Sequence, residues 1–314
     1  MAPDNSGMPL PSRRAFLSGR RAERSPWDAF LTRLRRGSDG QVFDFSTSAG
    51  SARLVPANMQ DVYRARSLCL EHGITMALDG VPTAASLTDA PVLWIEPGTA
   101  LSRYERLGPD DSRWFVQPGC LIGDLEAAGL PQFRDQPPHL TVAAWLADRR
   151  ACDWDRGHTA DSGLVHAMVL LSDGTQANFG AFGVDNQKPL DNLRVQAMIP
   201  RLFELHAQSG AVAAASTWES RYRLDALGPA EGRTINLAHL LLGHGGELGW
   251  VEWLVFDERQ GQAADRPYQS RWGNRPGPDA AGQALDETIR SLFDPDGLFP
   301  ALGQMFHSPY GSGA

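Results

Sequence analysis

The sequence has almost no lysine: of its 29 basic residues only Lys188 is one, and the remainder are arginines, a bias that reads as genomic base composition. It also lacks positive charge overall. A net charge of -8 and a pI near 5.5 argue against a general nucleic-acid binder, because phosphate affinity comes mainly from clustered basic residues. Cysteine is scarce, and Cys69, Cys120 and Cys152 lie far apart with no C-x-x-C pair. That excludes a disulfide framework and a zinc knuckle, and a reducing compartment is the simplest fit. No apolar run reaches the roughly eighteen residues that would cross a bilayer, so no transmembrane segment is expected. Ser12-Arg13-Arg14-Ala15-Phe16-Leu17 matches the core of a twin-arginine signal, but the charged Ser18–Arg24 follows where an apolar h-region belongs. The expected location is cytoplasmic.

What is present is enough for one sizeable core or two modest ones: 314 residues with 42% hydrophobic content. Ser25-Pro26-Trp27-Asp28 carries an N-cap serine, a proline at the first helical position and an acid three residues after the cap. Trp27, Phe30, Leu31 and Leu34 then form one apolar stripe beside Arg33, Arg35 and Arg36. Between Arg13 and Arg36 eight arginines stand against Glu23 and Asp28 alone. Such an arm either packs by its stripe onto the domain or docks to a partner or an anionic lipid surface.

From Arg53 a βαβ-like rhythm begins. Leu54-Val55-Pro56 reads as a strand, Asn58 to His72 as a helix stopped by Gly73, and Ile74 to Leu78 as the next strand, with the turn Asp79–Ser86 after it. Pro91–Ile95 and Arg113–Gly119 read as further strands, Cys120–Leu130 as a short helix and Asn192–Gly210 as an amphipathic one. Asp173-Gly174 is the strongest hairpin cue. Asp153, Asp155, His158, Asp161 and His166 form a polar cluster whose spacing fits no metal-ligand motif, and no metal is expected. Ile235–Phe256 reads as helix, glycine turn and strand: Leu237, Leu240 and Leu241, then Gly243, Gly245, Gly246 and Gly249, then Val251, Trp253 and Val255.

This last stretch resembles the "L-L-x-G-S-E-G-T-L-G-x-x-T" signature that closes the flavin domain of the vanillyl-alcohol oxidase, or PCMH-type, FAD-binding family. Other segments are similar to the same family in order along the chain. Asp79–Ser86 stands at the "R-G-G-G-T-S" pyrophosphate loop, with Gly80 and Thr83 matching. Pro118-Gly119, Asp124-Leu125 and Gly129-Leu130 fall in the pattern that follows it. Leu140–Ala147 resembles "T-I-G-G-x-I-A", with Thr141 and Val142 matching and Ala143 and Ala144 in place of the paired glycines. Gly157–Gly174 resembles the segment carrying Asp161, Arg221–Leu227 resembles "G-Y-x-L-D-x-L" with Arg221 for glycine, and Phe293–Pro300 resembles the terminal "F-D-P-x-G".

The resemblance implies an α+β, PCMH-type fold of two α/β subdomains. It divides the chain into a basic arm at 1–52, the FAD-binding domain at 53–257, a linker at 258–284, and a helix and tail at 285–314. The linker is too short and too rich in Gly, Pro, Gln and Arg to be the family's substrate cap. The implied function is an FAD-binding oxidoreductase or subunit, resembling the flavin subunits of glycolate and D-lactate dehydrogenases, with chemistry completed by a partner chain. Expected cofactor residues are Gly80, Val81, Thr83, Thr141, Val142, Ala143, Ala144, Asp161, Gly243, His244 and Gly246. The FAD would be non-covalent, since Asp79–Ser86 holds no His or Cys. No catalytic base is nameable, as family bases usually sit in the cap. The departures at Asp79, Val81, Pro82, Ala143 and Ala144 define the alternative: a flavin-domain protein without FAD, acting as a structural or assembly subunit. A nucleic-acid or membrane adaptor working through the arm is a third, remote reading.

Overall fold

The computed structural model describes residues 25–45, 47–81, 90–183, 192–209, 220–264, 267–268, 280–302 and 304. Helix α1, Pro26–Gly37, starts on the capping box read from the sequence: the Asp28 N–H donates to Ser25 Oγ at 3.0 Å and the Ser25 N–H to Asp28 Oδ2 at 3.3 Å. Its stripe is spent inside the chain. Phe30, Leu31 and Leu34 are buried in one core with Val62, Ala65 and Leu68 of α2, Met59–His72, each contributing about 1.5–3 kcal/mol. The stripe is therefore not available to a partner, and α1 belongs to the first structural layer.

That layer rests on a four-stranded sheet in the order β1-β2-β4-β3, comprising Gln41–Asp44, Ser51–Val55, Val92–Ile95 and Thr75–Leu78. β1 runs antiparallel to β2, while β2 and β3 run parallel to β4 with α2 as the crossover. Asn58 caps α2, and Gly73 ends it in the left-handed region at φ 64°. The buried Asp61 is satisfied by the N–H groups of Asp39, Gly40 and Ala57 at 2.8–2.9 Å.

The second layer is a five-stranded antiparallel sheet, β5-β6-β9-β7-β8, formed by Tyr104–Arg106, Arg113–Val116, Trp250–Asp257, Leu164–Leu170 and Gln176–Phe179. It carries the larger core, with short helices α3 (Ile122–Ala127) and α4 (Val142–Ala147) and longer ones α5 (Leu193–Ser209) and α6 (Ala280–Phe293). Phe133 meets Trp145 and Phe256 edge to face at 4.8 and 5.2 Å.

The two layers are stitched together. Leu170 and Trp250, from strands of the second sheet, lie in the first core with Leu298 and Phe299 of the tail. The Met76 N–H donates to the Leu298 carbonyl at 2.9 Å, which satisfies the outer edge of β3. The tail is shaped by Asp294, whose carboxylate accepts from the N–H groups of Leu298 and Phe299 at 2.9 Å each and pairs with Arg290 at 3.0 Å. Burial raises the Asp294 pKa against the pull of those N–H groups.

Three local expectations change. Leu237–Leu241 is a 3-10 helix, not an α-helix: Leu242 N–H closes a 3-10 turn on the His239 carbonyl, and the Gly243 and Gly245 N–H groups turn away to α4. The helix read over Cys120–Leu130 is confined to Ile122–Ala127. The last helix begins at Ala280, ahead of the apolar periodicity at Leu285, since Ala280, Ala281 and Ala284 favour helix without forming a stripe. Among the described residues no helix is long and apolar enough to cross a membrane.

Candidate functional site

The structure brings most of the expected cofactor residues together where β3, α4 and the glycine turn meet. A Cβ placed on Gly80 would lie 3.8 Å from the Ala144 methyl, and one on Gly246 would lie 3.4 Å from Leu78 Cβ. The turn is tied to the end of α4 by Gly243 N–H to the Leu146 carbonyl at 2.7 Å and Gly245 N–H to the Ala147 carbonyl at 2.9 Å. Gly80, Val81, Thr141, Val142, Ala143, Ala144, Gly243, His244 and Gly246 thus border one region. Thr83 lies outside the described residues. Asp161 is in another network, paired with Arg233 at 2.7 Å and accepting from Gln262 Nε2 at 3.2 Å.

An FAD pyrophosphate needs free N–H groups, and several among the described residues are taken. Gly80 N–H donates to its neighbour Asp79 Oδ1 at 2.9 Å. Val142 N–H goes to the Cys120 carbonyl at 2.8 Å, Ala143 N–H to the Pro118 carbonyl at 3.1 Å, and Ala144 N–H to Thr141 Oγ1 at 3.2 Å. Burial raises the Asp79 pKa, opposed by the Gly80 N–H, and a pyrophosphate beside this acid would meet negative charge. The methyls of Ala143 and Ala144 are 3% and 1% exposed, so protein already covers the slot where the resemblance has glycines.

The decisive contact comes from Arg221, which stands where the resemblance has glycine. Its Nη2 lies 2.5 Å from where a Cβ on Gly245 would be, so the guanidinium rests directly on the glycine turn. Its Nε–H and an Nη2–H both donate to Glu247, a residue buried to 1% exposure. Tyr222 O–H donates to the same carboxylate at 2.7 Å. Below them Asp286 of α6 accepts from the Arg221 N–H at 3.0 and 3.1 Å, and burial pushes its pKa up to about 6. Among the described residues the chain itself occupies the donors of Gly80, Val142, Ala143 and Ala144, the slot at Ala143 and Ala144, and the face of the turn at Gly245, and FAD does not fit that part of the cleft as it stands.

His244 is less self-sufficient. It is 1% exposed, and among the described residues neither ring nitrogen has a hydrogen-bond partner. Burial, with a smaller contribution from Arg221, pushes its pKa down to about 3, so the ring is neutral. His239, also buried, differs: its Nε2–H donates to the Leu164 carbonyl at 2.7 Å, which leaves Nδ1 to accept from Thr159 Oγ1 at 3.0 Å. The sequence pattern showed Arg221 only as a departure from glycine and did not single out Glu247. The missed signal was that two departures, a basic one at 221 and an acidic one at 247, are of opposite charge. The three cysteines are buried thiols, and burial raises the pKa values of Cys69 and Cys120. Among the described residues no three His, Cys, Asp or Glu side chains gather to hold a metal.

No model of a known protein family matches the sequence, and no curated protein matches it. Several solved structures are similar. Physcomitrella patens BBE-like 1 shares 10% identity at TM-score 0.42, over 73% of this chain and 44% of that one. 4-Ethylphenol oxidase from Gulosibacter chungangensis shares 12% at 0.44, over 76% and 43%. Glucooligosaccharide oxidase from Acremonium strictum shares 13% at 0.43, over 75% and 43%. The chain covers less than half the length of each.

Proposed function

We propose that this chain is a flavin-domain protein of the PCMH type, built like the FAD-binding oxidoreductases, whose cofactor cleft is closed by its own side chains. In this role it is a structural or assembly subunit beside a catalytic partner of a dehydrogenase complex. The observation that carries the reading is Arg221, a guanidinium laid on the glycine turn and anchored by the buried Glu247. Displacing it to admit FAD breaks a buried ion pair and strips donors at three loops together, each lost donor costing about 1–3 kcal/mol.

A second reading has one specific observation in its favour. The two unpartnered nitrogens of buried His244 are what a bound polar group would relieve. In that reading the chain is an FAD-binding oxidoreductase subunit, resembling those of 2-hydroxyacid dehydrogenases. Gly80, Thr83, Thr141 and the Gly243–Gly246 turn would hold a non-covalent FAD, which supplies the hydride acceptor. Asp161, given its separate network, would not touch it.

Visible absorption of the purified protein, before and after incubation with excess FAD and gel filtration, separates the two. A colourless protein that stays colourless, and that captures a dehydrogenase subunit in a pull-down, supports the first reading. A flavin band retained at one equivalent overturns it in favour of the second.

A further inference from the structure

Where the end of α1 crosses α2 lies a pocket of about 270 Å³ lined by Arg33, Arg36, Gly37, Arg64 and Leu68. Three of these five residues are arginines, on a chain whose net charge is -8. Their placement is built. Arg64 Nη1 donates to the Gly37 carbonyl at 3.0 Å, and a Cβ on Gly37 would come within 2.1 Å of that nitrogen. Glycine at 37 is therefore what lets Arg64 lie against the helix end, with its remaining N–H groups unspent among the described residues. Arg33 is braced on its far side by Glu71, which offsets one of the three charges. Arg36 is exposed and has no partner among the described residues. The carbonyl end of α1 would repel an anion, but Arg64 takes the Gly37 carbonyl and Ser38 N–H takes that of Leu34 at 3.0 Å.

We propose that this pocket is a binding site for a phosphate group. A phosphate monoester brings about 1.5–2 negative charges and three acceptor oxygens, which suits guanidiniums better than a carboxylate with one charge and two oxygens. The volume falls just below the roughly 300–1,000 Å³ of drug-sized sites, so the pocket admits a head group and not a whole cofactor. Leu68, buried in the first core, closes the bottom of the pocket.

The test is calorimetric titration of the full chain with inorganic phosphate at low ionic strength, with acetate as the singly charged control. Saturable one-to-one binding is expected, weakened roughly tenfold or more by Arg36→Gln, with no change in melting temperature in phosphate-free buffer. Gly37→Ala should weaken it similarly by lifting Arg64. No saturable binding, or an Arg36→Gln variant with unchanged affinity, overturns the proposal. A phosphate ester, a phosphoserine peptide and phosphatidic-acid vesicles then identify the source. Whichever binds at least tenfold tighter than free phosphate is the natural carrier, and equal affinities assign the site to free phosphate. The flavin titration has no bearing on this outcome.

Discussion

Replacing Arg221 with glycine restores the residue the family resemblance has at that position and removes the lid from the glycine turn. The cost follows from what it leaves behind. Glu247 is 1% exposed and would lose both donors of Arg221 while keeping the Tyr222 hydroxyl at 2.7 Å. Removing one partner of a buried pair costs about 3–5 kcal/mol. The Arg221 side chain is 23% exposed, so water offsets part of that, and about 2–3 kcal/mol is expected. Urea denaturation at neutral pH measures it, with an unchanged m-value showing that the effect lies in the native state. The companion variant, Glu247→Thr, removes the stranded carboxylate. Combined with Arg221→Gly it should recover most of the loss, with a coupling energy above about 1.5 kcal/mol. An Arg221→Gly variant destabilised by less than about 0.5 kcal/mol, or a double variant no more stable than the single, would refute the ion-pair lid. The double variant is also the one to titrate with FAD, since gain of a flavin band there and not in the parent ties closure to this pair.

Other outcomes follow from the same geometry. His244, held at about 3 against an ordinary 6.5, contributes stability that is present above pH 6.5 and is lost as pH falls toward 3. His244→Leu should therefore resist acid better than the parent, by about 3 kcal/mol between pH 7 and pH 4 in thermal melts. Asp286 acts with the opposite sign: its pKa, raised from 3.8 to about 6, gives stability that is present below about pH 4 and lost as pH rises through 6. Asp286→Asn should flatten that limb by about 2 kcal/mol, read as urea midpoints at pH 4.5 and 7 relative to the parent. Asp294→Ala leaves two buried N–H groups without their acceptor and Arg290 without its carboxylate, and should cost about 2–4 kcal/mol in chemical denaturation. Loss of less than about 1 kcal/mol would mean that the tail is held by Leu298 and Phe299 alone.

The α+β class and the order of elements were legible because each is announced locally. Ser25-Pro26 starts α1, Gly73 ends α2, Asp173-Gly174 turns β7 into β8, and the alternation after Gly249 marks β9. The convergence of Gly80, Thr141–Ala144 and the Gly243–Gly246 turn was legible only through the family resemblance, since no periodicity joins segments so far apart. Three things were not legible. A charged lid needs knowledge that residues 221 and 247 meet, and only the fold supplies that. The fate of backbone N–H groups cannot be read from residue types, because glycine and alanine offer the same donor whether it faces a ligand or a carbonyl. Asp161 fitted its motif and yet points to Arg233, since the motif fixes a position along the chain and not the neighbour brought by another loop.

The hydrogen bond from Met76 to Leu298 sets a schedule for synthesis. The first layer gathers residues from Phe30 to Ile95, yet its core is finished by Leu170, Trp250, Leu298 and Phe299. A nascent chain leaving the ribosome must therefore carry an open β3 edge and an uncovered apolar face while about 220 further residues are made. At roughly 5–20 residues per second that exposure lasts on the order of 10–45 s. The amino-terminal layer is thus the part of this protein most in need of a chaperone on the ribosome, and the part first lost to a protease when translation stalls before residue 298.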